Sequence, residues 1–235
     1  MIIKHWDKLP DNMKNESVRE YYEVLSKKSI QLIFKRIFDI TLAAILLIIL
    51  SPLLLIIAVI IKLDSKGPAI YRQTRVTQYG KEFRICKFRT MIPSADTIGT
   101  QVTTKNDMRI TKIGRILRKY RLDEIPQLFN IIIKGDMTFV GTRPEVPRYV
   151  KHYTNEMMAT LLLPAGITSE ASIKYKDEES LLANASAEDI EVIYTQEVLP
   201  EKMNYNLRAI KGFSFVNDIK VIFKTGIAMV WRNKE

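Results

Sequence analysis

Residues 40–61, ITLAAILLIILSPLLLIIAVII, form a run of 22 residues without a charge, and Ser51 and Pro52 stand at its centre. A run of about 20 apolar residues matches the hydrocarbon core of a bilayer, whereas about 10–14 residues are more typical of a buried helix in a soluble domain. Proline inside a helix removes a backbone hydrogen bond and clashes with the preceding turn. The run therefore favours a membrane segment, and a helix broken at Pro52 could enter the membrane, bend and leave by the face that it entered.

The flanks of this run carry positive charge at both ends. Lys35 and Arg36 precede it, and Lys62 and Lys66 follow it. Because cationic flanks tend to stay on the cytoplasmic side, both ends favour the same side of the membrane. Three structures remain open: a re-entrant hairpin broken at Pro52, a straight span in which Ser51 bonds the freed backbone, and the core helix of a soluble domain.

The composition of the chain excludes or disfavours several classes of protein. The chain has 235 residues and a net charge of +10, which predicts anionic partners such as lipid headgroups or nucleotide phosphates. Cys86 is the single cysteine, which excludes a disulfide framework or a cysteine-based zinc cluster. His5 and His152 are the two histidines and have no plausible partner nearby in sequence, so a Ser-His-Asp hydrolase is disfavoured. Glycine-rich nucleotide-binding motifs are absent from the sequence.

The chain divides into an N-terminal amphipathic segment (1–34), a membrane segment (35–62) and a catalytic domain (63–235). Residues 69–91 predict two short strands, residues 111–121 and about 124–133 predict helices, and Phe215 begins a last helix. The expected fold is α/β, predominantly helical with a small sheet, and with interfacial amphipathic helices at the membrane surface.

A basic stretch occupies residues 105–121, with seven cations against one anion, Asp107. Apolar residues share this stretch, as in helices that lie in the headgroup plane of an anionic leaflet. A solvated helix face on a globular domain is the alternative interpretation.

A pair of carboxylates, Asp123 and Glu124, follows the basic stretch directly. Carboxylates at a helix start are often partners of the helix dipole and nothing more. Here Arg118 and Arg121 lie close in sequence, and their charge is expected to keep both carboxylates ionised. An ionised Asp can attack phosphorus as a nucleophile, and a neighbouring Glu can bind a divalent cation.

Several motifs together resemble a known family. They are Lys35–Asp39 (KRIFD), Tyr71–Arg75 (YRQTR), Lys87–Met91 (KFRTM), Leu122–Asn130 (LDEIPQLFN), Lys134–Met137 (KGDM) and Val140–Pro144 (VGTRP). In order and spacing, they resemble the bacterial sugar transferases, also called monotopic phosphoglycosyl transferases or polyprenyl-phosphate sugar-1-phosphate transferases. The similarity covers roughly residues 33–231.

The resemblance implies a re-entrant membrane helix broken at Ser51-Pro52 and a ping-pong reaction. In that reaction the first carboxylate of the pair attacks a UDP-sugar, UMP leaves, and undecaprenyl phosphate then takes up the sugar phosphate. The enzyme would face the cytoplasm from the bacterial inner membrane and start a capsule, exopolysaccharide or O-antigen glycan. Some family members associate as dimers.

The resemblance also implies roles for individual residues. Asp123 would be the nucleophile, and Glu124 would help to bind Mg²⁺ or orient the phosphates. Further positions match phosphate contact or active-site support (Lys87, Arg89, Arg118 and Arg143) or the charged pair at the foot of the membrane helix (Arg36 and Asp39). Thr142 stands where the family usually has proline, which predicts a looser loop around Arg143.

Two other functions fit parts of the sequence. A non-enzymatic protein that binds anionic lipids through residues 105–121 would keep its function when Asp123 is replaced by Asn. A nucleic-acid-binding protein would explain the basic stretch, but aromatic residues are not interleaved with its cations as single-strand binding requires. It would also leave the apolar run unexplained, so we expect no nucleic-acid partner.

Overall fold

A computed structural model describes residues 3–93, 95, 107–175 and 187–231. The helices of these residues are α1 (Glu16–Ser26), α2 (Ser29–Asp64), α3 (Lys112–Lys119), α4 (Leu128–Ile132), α5 (Pro147–Val150), α6 (Glu170–Lys174), α7 (Ala187–Ile193), α8 (Leu199–Lys211) and α9 (Phe215–Trp231). The strands are β1 (Ile70–Val76), β2 (Glu82–Phe88), β3 (Met137–Val140) and β4 (Ala165–Thr168). The predicted helical character with little sheet is confirmed.

The apolar run lies within α2, and this helix continues through Pro52. Pro52 has no N–H to donate to the carbonyl of Ile48, and the hydroxyl of Ser51 donates to that carbonyl instead, at 2.9 Å. The predicted compensation by Ser51 is therefore present. The structure does not confirm the hairpin, because residues 29–64 form one uninterrupted helix.

In the described part of the chain, α2 is the one helix long and apolar enough to cross a membrane. Only 11% of its most apolar stretch is buried against the rest of the protein. A core helix of a soluble domain would bury most of that surface, so the exposed stretch argues against the soluble alternative.

The N-terminal foot of α2 is fixed to β3 and its surroundings. Asp39 accepts hydrogen bonds from the Thr138 hydroxyl and from the Phe139 amide. Arg36 donates from Nη2 to the carbonyl of Ile131 at 2.7 Å. Lys35 is buried and donates to the carboxylate of Asp218 in α9 at 2.6 Å. These contacts satisfy the polar groups of the foot within the domain.

The C-terminal foot of α2 is fixed to the end of β2. Arg89 donates from Nη2 to the carbonyl of Ser65 at 2.7 Å, so its positive charge lies against the negative end of the helix dipole. One turn earlier, Ile57 and Ile61 pack with Phe88 and Leu117 in one apolar cluster. Both feet of the apolar helix therefore rest on one globular body.

Two small sheets carry the remaining framework. Strands β1 and β2 form an antiparallel hairpin that pairs Tyr71 with Lys87. Strands β3 and β4 pair in parallel, with Val140 opposite Thr168. The sequence predicted the first pair of strands and missed the second, because four-residue strands carry too short a pattern to be recognised.

The N-terminal segment is part of the core and not only a surface helix. Met13, Val18 and Leu25 are completely buried. They belong to an apolar cluster that also contains Leu162 and Leu207 from the domain after α2. The segment before α2 therefore contributes to the stability of the domain.

The contact between α3 and the end of β2 generates a prediction for Gly114. A methyl group at Gly114 would lie 2.0 Å from the carbonyl oxygen of Thr90, and backbone cannot move aside as a flexible side chain can. Gly114→Ala is expected to lower the free energy of unfolding by about 1–3 kcal/mol or more. Gly226→Ala in α9 is the control, because nothing lies within 4 Å of that methyl group. Thermal unfolding of both variants in detergent checks this, and equal melting temperatures would contradict it.

Candidate active site

The two carboxylates lie at a sharp change of direction after α3. Arg121 takes the left-handed conformation, with φ of 56°, and ends the helix. A 3₁₀ turn, Leu122–Gln127, follows directly and holds Asp123 and Glu124 in its first turn. Both are buried, with 8% and 9% of their surface exposed. A non-glycine residue with positive φ is strained, and strain of this kind concentrates at functional sites.

Glu124 is surrounded by cations from three parts of the chain. Arg143 binds it with both terminal nitrogens, Nη2 at 2.5 Å from Oε1 and Nη1 at 3.3 Å from Oε2. Lys87 Nζ, from β2, lies 3.2 Å from Oε1. Arg121 Nη1 lies 3.7 Å from the same oxygen. The geometry with Arg143 is the bidentate form that binds carboxylates and phosphates most strongly.

These cations set the charge state of Glu124. Burial alone would raise the pKa of its carboxyl group, but Arg143 and Lys87 outweigh burial and hold that pKa well below its usual range. Burial lowers the pKa of Lys87, and Glu124 opposes that shift. Glu124 is therefore a permanent anion at physiological pH.

Asp123 has a different environment although it is the adjacent residue. Its Oδ1 atom is buried and has no hydrogen-bond partner among the described residues. Burial raises the pKa of Asp123, the negative charge of Glu124 raises it further, and Lys87, Arg118 and Arg121 oppose the shift. The expectation that nearby cations keep both carboxylates ionised thus agrees with the direction of the pKa shift at Glu124. At Asp123, burial and the charge of Glu124 dominate and raise the pKa instead.

The loop that carries Arg143 is held by the β3–β4 pair. The amide of Gly141 donates to the carbonyl of Thr168 at 3.0 Å. The carbonyl of Thr142 accepts from the amide of Gly166 at 2.8 Å. Arg143 reaches Glu124 in this conformation, so threonine at position 142 does not displace the arginine from the carboxylate pair.

The remaining sequence-predicted cations lie in different places. Arg118 is in the last turn of α3, close enough for its charge to lower the pKa of Asp123. Arg89 is buried at the C-terminal foot of α2, where it binds Ser65. The phosphate contacts expected for these two residues stay predictions.

The residues that contact the segment directly after Arg143 were not identified from the sequence. Arg75, at the end of the YRQTR motif, donates to the carbonyl of Pro144 at 3.1 Å. Burial lowers the pKa of Arg75, and the charge of Arg143 lowers it further, whereas Glu145 raises it. The signal in the sequence was an arginine within a matched motif, but nothing in its spacing connected it to residue 144.

The oxygen donors of the pair limit how a metal ion can bind. Among the described residues, no group of three or more His, Cys, Asp and Glu side chains has metal-binding geometry. Asp123 Oδ1 is buried and unpartnered, and Glu124 Oε2 keeps lone pairs beyond the one that Arg143 uses. A Mg²⁺ ion held by these two carboxylates would therefore take most of its ligands from substrate phosphates and water, as Mg²⁺ commonly does.

The comparisons with known proteins agree on one family. The sequence matches the bacterial sugar transferase family over residues 30–232. It is 36% identical over 200 residues to the UDP-glucose:undecaprenyl-phosphate glucose-1-phosphate transferase of Klebsiella pneumoniae, with 83% of this chain and 40% of that protein covered. It is 36% identical over 194 residues to the UDP-N-acetylgalactosamine-undecaprenyl-phosphate N-acetylgalactosaminephosphotransferase of Aeromonas hydrophila, with 81% and 42% covered.

A third relative carries the name of another sugar. The undecaprenyl-phosphate galactose phosphotransferase of Salmonella typhimurium is 32% identical over 224 residues, which cover 89% of this chain and 43% of that protein. The chain thus spans about two fifths of the length of these three relatives. Because their names specify three sugars at similar identity, the level of identity does not select a donor.

The opposite environments of the two carboxylates predict opposite effects of neutralising them. A raised pKa means that folding disfavours ionised Asp123, so this residue costs stability above the pKa range of an unfolded carboxyl group. Asp123→Asn is therefore expected to raise the melting temperature at pH 7 by about 2–4 °C, which corresponds to about 1 kcal/mol for a chain of this size. The gain should shrink as the pH falls toward the ordinary Asp pKa of about 3.9, below which Asp123 is protonated in both states.

Glu124→Gln is the matched comparison. A lowered pKa means that ionised Glu124 stabilises the fold above that range, and this contribution is lost as the pH falls through the folded pKa. The substitution leaves Arg143 and Lys87 without their buried counter-charge and is expected to cost on the order of 3 kcal/mol at pH 7. Thermal unfolding across pH 4–8 measures both variants. A change of the same sign at pH 7 would contradict the electrostatic description.

Proposed function

Since the chain belongs to the bacterial sugar transferase family, we propose that it transfers a sugar 1-phosphate from a UDP-sugar to undecaprenyl phosphate. The observation that carries this proposal is the buried carboxylate pair, in which Glu124 is neutralised by cations and Asp123 keeps an unpartnered oxygen. The names of the curated relatives support the same reaction class.

In the first step, an oxygen of ionised Asp123 attacks the phosphorus that bears the sugar. A bond forms between this oxygen and the phosphorus, the bond to the bridging oxygen breaks, and UMP leaves with the electron pair. The raised pKa of Asp123 makes its ionised form more basic and therefore a better nucleophile than an ordinary surface aspartate.

In the second step, a phosphate oxygen of undecaprenyl phosphate attacks the same phosphorus. The bond between Asp123 and phosphorus breaks, the carboxylate is restored, and a polyprenyl-diphosphate-sugar is released. Splitting the transfer in this way gives ping-pong kinetics, because UMP leaves before the acceptor reacts.

The cations of the site orient and stabilise the phosphates. Arg143 and Lys87 are placed by β3–β4 and β2, so the structure fixes them before a substrate binds. Fixed positive charge lowers the energy of a transition state in which negative charge spreads over phosphate oxygens. Arg118 adds positive charge on the α3 side of Asp123.

Glu124 has two roles in this proposal. It keeps Arg143 and Lys87 in position while the site is empty, because a buried cation cluster without an anion would repel itself. Together with Asp123 it would also supply oxygen donors for Mg²⁺. When bound, Mg²⁺ would neutralise charge on the diphosphate and ease the departure of UMP.

The acceptor is a membrane lipid, so the site must lie at headgroup depth. Large apolar side chains are exposed along the middle of α2, among them Ile48 at 74% and Leu55 at 68%. Because both feet of α2 rest on the same domain, we propose that this helix bends at Pro52 and that the segment enters and leaves the membrane on one face, as a re-entrant element. The apolar surface would then sit in the bilayer while the site stays at its cytoplasmic surface.

Helix α3 supports this orientation. Its Ile113 and Leu117 pack toward the C-terminal half of α2, and Lys112, Arg115 and Lys119 are exposed on the remaining surface. Lysine and arginine beside a membrane segment are attracted to anionic headgroups. We place the protein in the bacterial inner membrane with its catalytic domain in the cytoplasm, at the start of capsule, exopolysaccharide or O-antigen synthesis.

Release of UMP tests the reaction directly. The purified protein in detergent is incubated with Mg²⁺ and a panel of UDP-sugars, with and without undecaprenyl phosphate. With the correct donor, we expect about one UMP per protein without acceptor and continuous release with it, because Asp123 can be modified once per cycle. A sugar-labelled donor should leave its label on the protein, and undecaprenyl phosphate should remove it.

Asp123→Asn is the control for this assay and should lower UMP release at least about a thousandfold. A parallel reaction with EDTA tests the requirement for Mg²⁺. Equal release by Asp123→Asn would remove Asp123 as the nucleophile. Release that needs the acceptor from the first turnover onward would replace the ping-pong mechanism with direct transfer.

The topology of α2 is tested with cysteines at its two ends. Cys86→Ala removes the native thiol, and Lys27→Cys or Lys66→Cys then places one thiol at an exposed position beside each foot. A membrane-impermeant maleimide should label neither variant in intact cells and both after the membrane is opened. Labelling of one variant alone in intact cells would indicate a straight span.

A further inference from the structure

A second buried ionic group lies directly behind Arg143. Glu145 is 5% exposed, and its Oε1 accepts from the hydroxyl of Tyr194 at 2.7 Å. Lys202 Nζ lies 3.5 Å from the same oxygen and donates to the Tyr194 hydroxyl at 3.0 Å. Tyr194 and Lys202 are themselves 3% and 5% exposed.

These partners come from one continuous helical segment. Tyr194 is the first residue of a π-helical turn, Tyr194–Val198, that connects α7 to α8. Lys202 follows in the first turns of α8. π-Helical turns are rare and often occur at functional sites. The turn brings a hydroxyl and an ammonium group onto one carboxylate.

The other side of the Arg143 segment is fixed by β1. Arg75 donates to the carbonyl of Pro144, and its Nη1 lies 3.9 Å from Oε2 of Glu145. The amide of Val76 donates to the carbonyl of Glu145 at 2.9 Å. Residues 144 and 145 are therefore held through both backbone and side chain, immediately after the arginine that binds Glu124.

The negative charges of Glu124 and Glu145 both attract Arg143. Arg143 is close enough to both Glu124 and Glu145 for its charge to lower the pKa of each. Burial would raise the pKa of Glu145, and Lys202 and then Arg75 outweigh it. Without Lys202, the buried carboxylate of Glu145 would be opposed by Arg75 at 3.9 Å and by the charge of Arg143, so Arg143 would be drawn away from Glu124.

We propose that Lys202 and Tyr194 are positioning residues that neutralise Glu145 and thereby keep Arg143 paired with Glu124. Buried ion pairs seldom add net stability, because desolvation offsets the attraction. Their use here is geometric: they hold the Arg143 segment in one conformation even though threonine occupies position 142. This inference deepens the proposed function and rests on it for its kinetic part only.

Hydrogen exchange tests the anchor without reference to any substrate. The reporter is the amide of Val76, which donates to the carbonyl of Glu145, and the reference is the amide of Thr77, which donates to Lys81 within the same hairpin. Lys202→Met is expected to accelerate exchange at Val76 by about tenfold relative to Thr77, because the opening is local. The double variant Glu145→Gln/Lys202→Met should exchange at Val76 at least about threefold more slowly than Lys202→Met alone, since a neutral amide needs no cation. The recovery should be incomplete, because Arg75 then lacks the charge of Glu145.

Thr160→Val is the control for ordinary destabilisation. It removes a buried hydrogen bond to the carbonyl of Met157 without touching the Glu145 group. It should leave the ratio of Val76 to Thr77 exchange unchanged. An unchanged ratio in Lys202→Met would overturn the proposal.

A double-mutant cycle tests whether the anchor acts through Arg143. In the wild-type background, Lys202→Met should lower kcat/KM for the UDP-sugar at least about tenfold, whereas in the Arg143→Ala background it should change it less than about twofold. An equal loss in both backgrounds would overturn the positioning role and make Lys202 merely structural. If the wild type releases no UMP, the proposed function fails, while the exchange ratio still decides whether Lys202 holds the segment.

Discussion

The carboxylate of Glu124 forms ion pairs with cations from separate parts of the chain. The arrangement of the domain depends on these ion pairs. Lys87 arrives on β2, Arg121 ends α3 in a left-handed conformation, and Arg143 arrives on the loop after β3. Each would be costly to bury without the shared anion, and the anion would be costly without them. The carboxylate of Glu124 thereby links three elements: the β1–β2 hairpin, the turn after α3 and the β3–β4 pair.

Asp123 shares this site under the opposite condition. Its buried oxygen has no hydrogen-bond partner among the described residues, and burial beside Glu124 raises its pKa. A protein tolerates such a group where reactivity requires it, at a cost in stability that the surroundings must offset. Two adjacent residues of the same chemical type thus acquire different properties from their neighbours alone: cations hold Glu124 as an anion, whereas burial disfavours the ionised form of Asp123.

The long apolar helix α2 likewise pairs its polar groups with the domain and leaves its apolar surface for the membrane. Its polar feet are satisfied by the domain, Asp39 by β3 and Ser65 by Arg89, while the residues between them expose apolar side chains. Arg89 illustrates how a sequence motif can mark a residue without revealing its contacts. It lies two residues after Lys87, yet it binds the end of α2, whereas Lys87 binds Glu124.

The sequence by itself determined the apolar run, its compensated proline, the β1–β2 hairpin, the basic helix and the residues of the carboxylate pair, because these follow from local patterns and from contiguous motifs. It could not determine the contacts of Arg89, the short parallel pair β3–β4, or the burial of the N-terminal segment, since each depends on residues far apart in the chain. The different pKa values of Asp123 and Glu124, and the anchoring of Arg143 through Glu145, Tyr194 and Lys202, were likewise decided only by the tertiary structure. Burial and charge pairing are properties of three-dimensional surroundings, and neither is encoded in the spacing of residues along the chain.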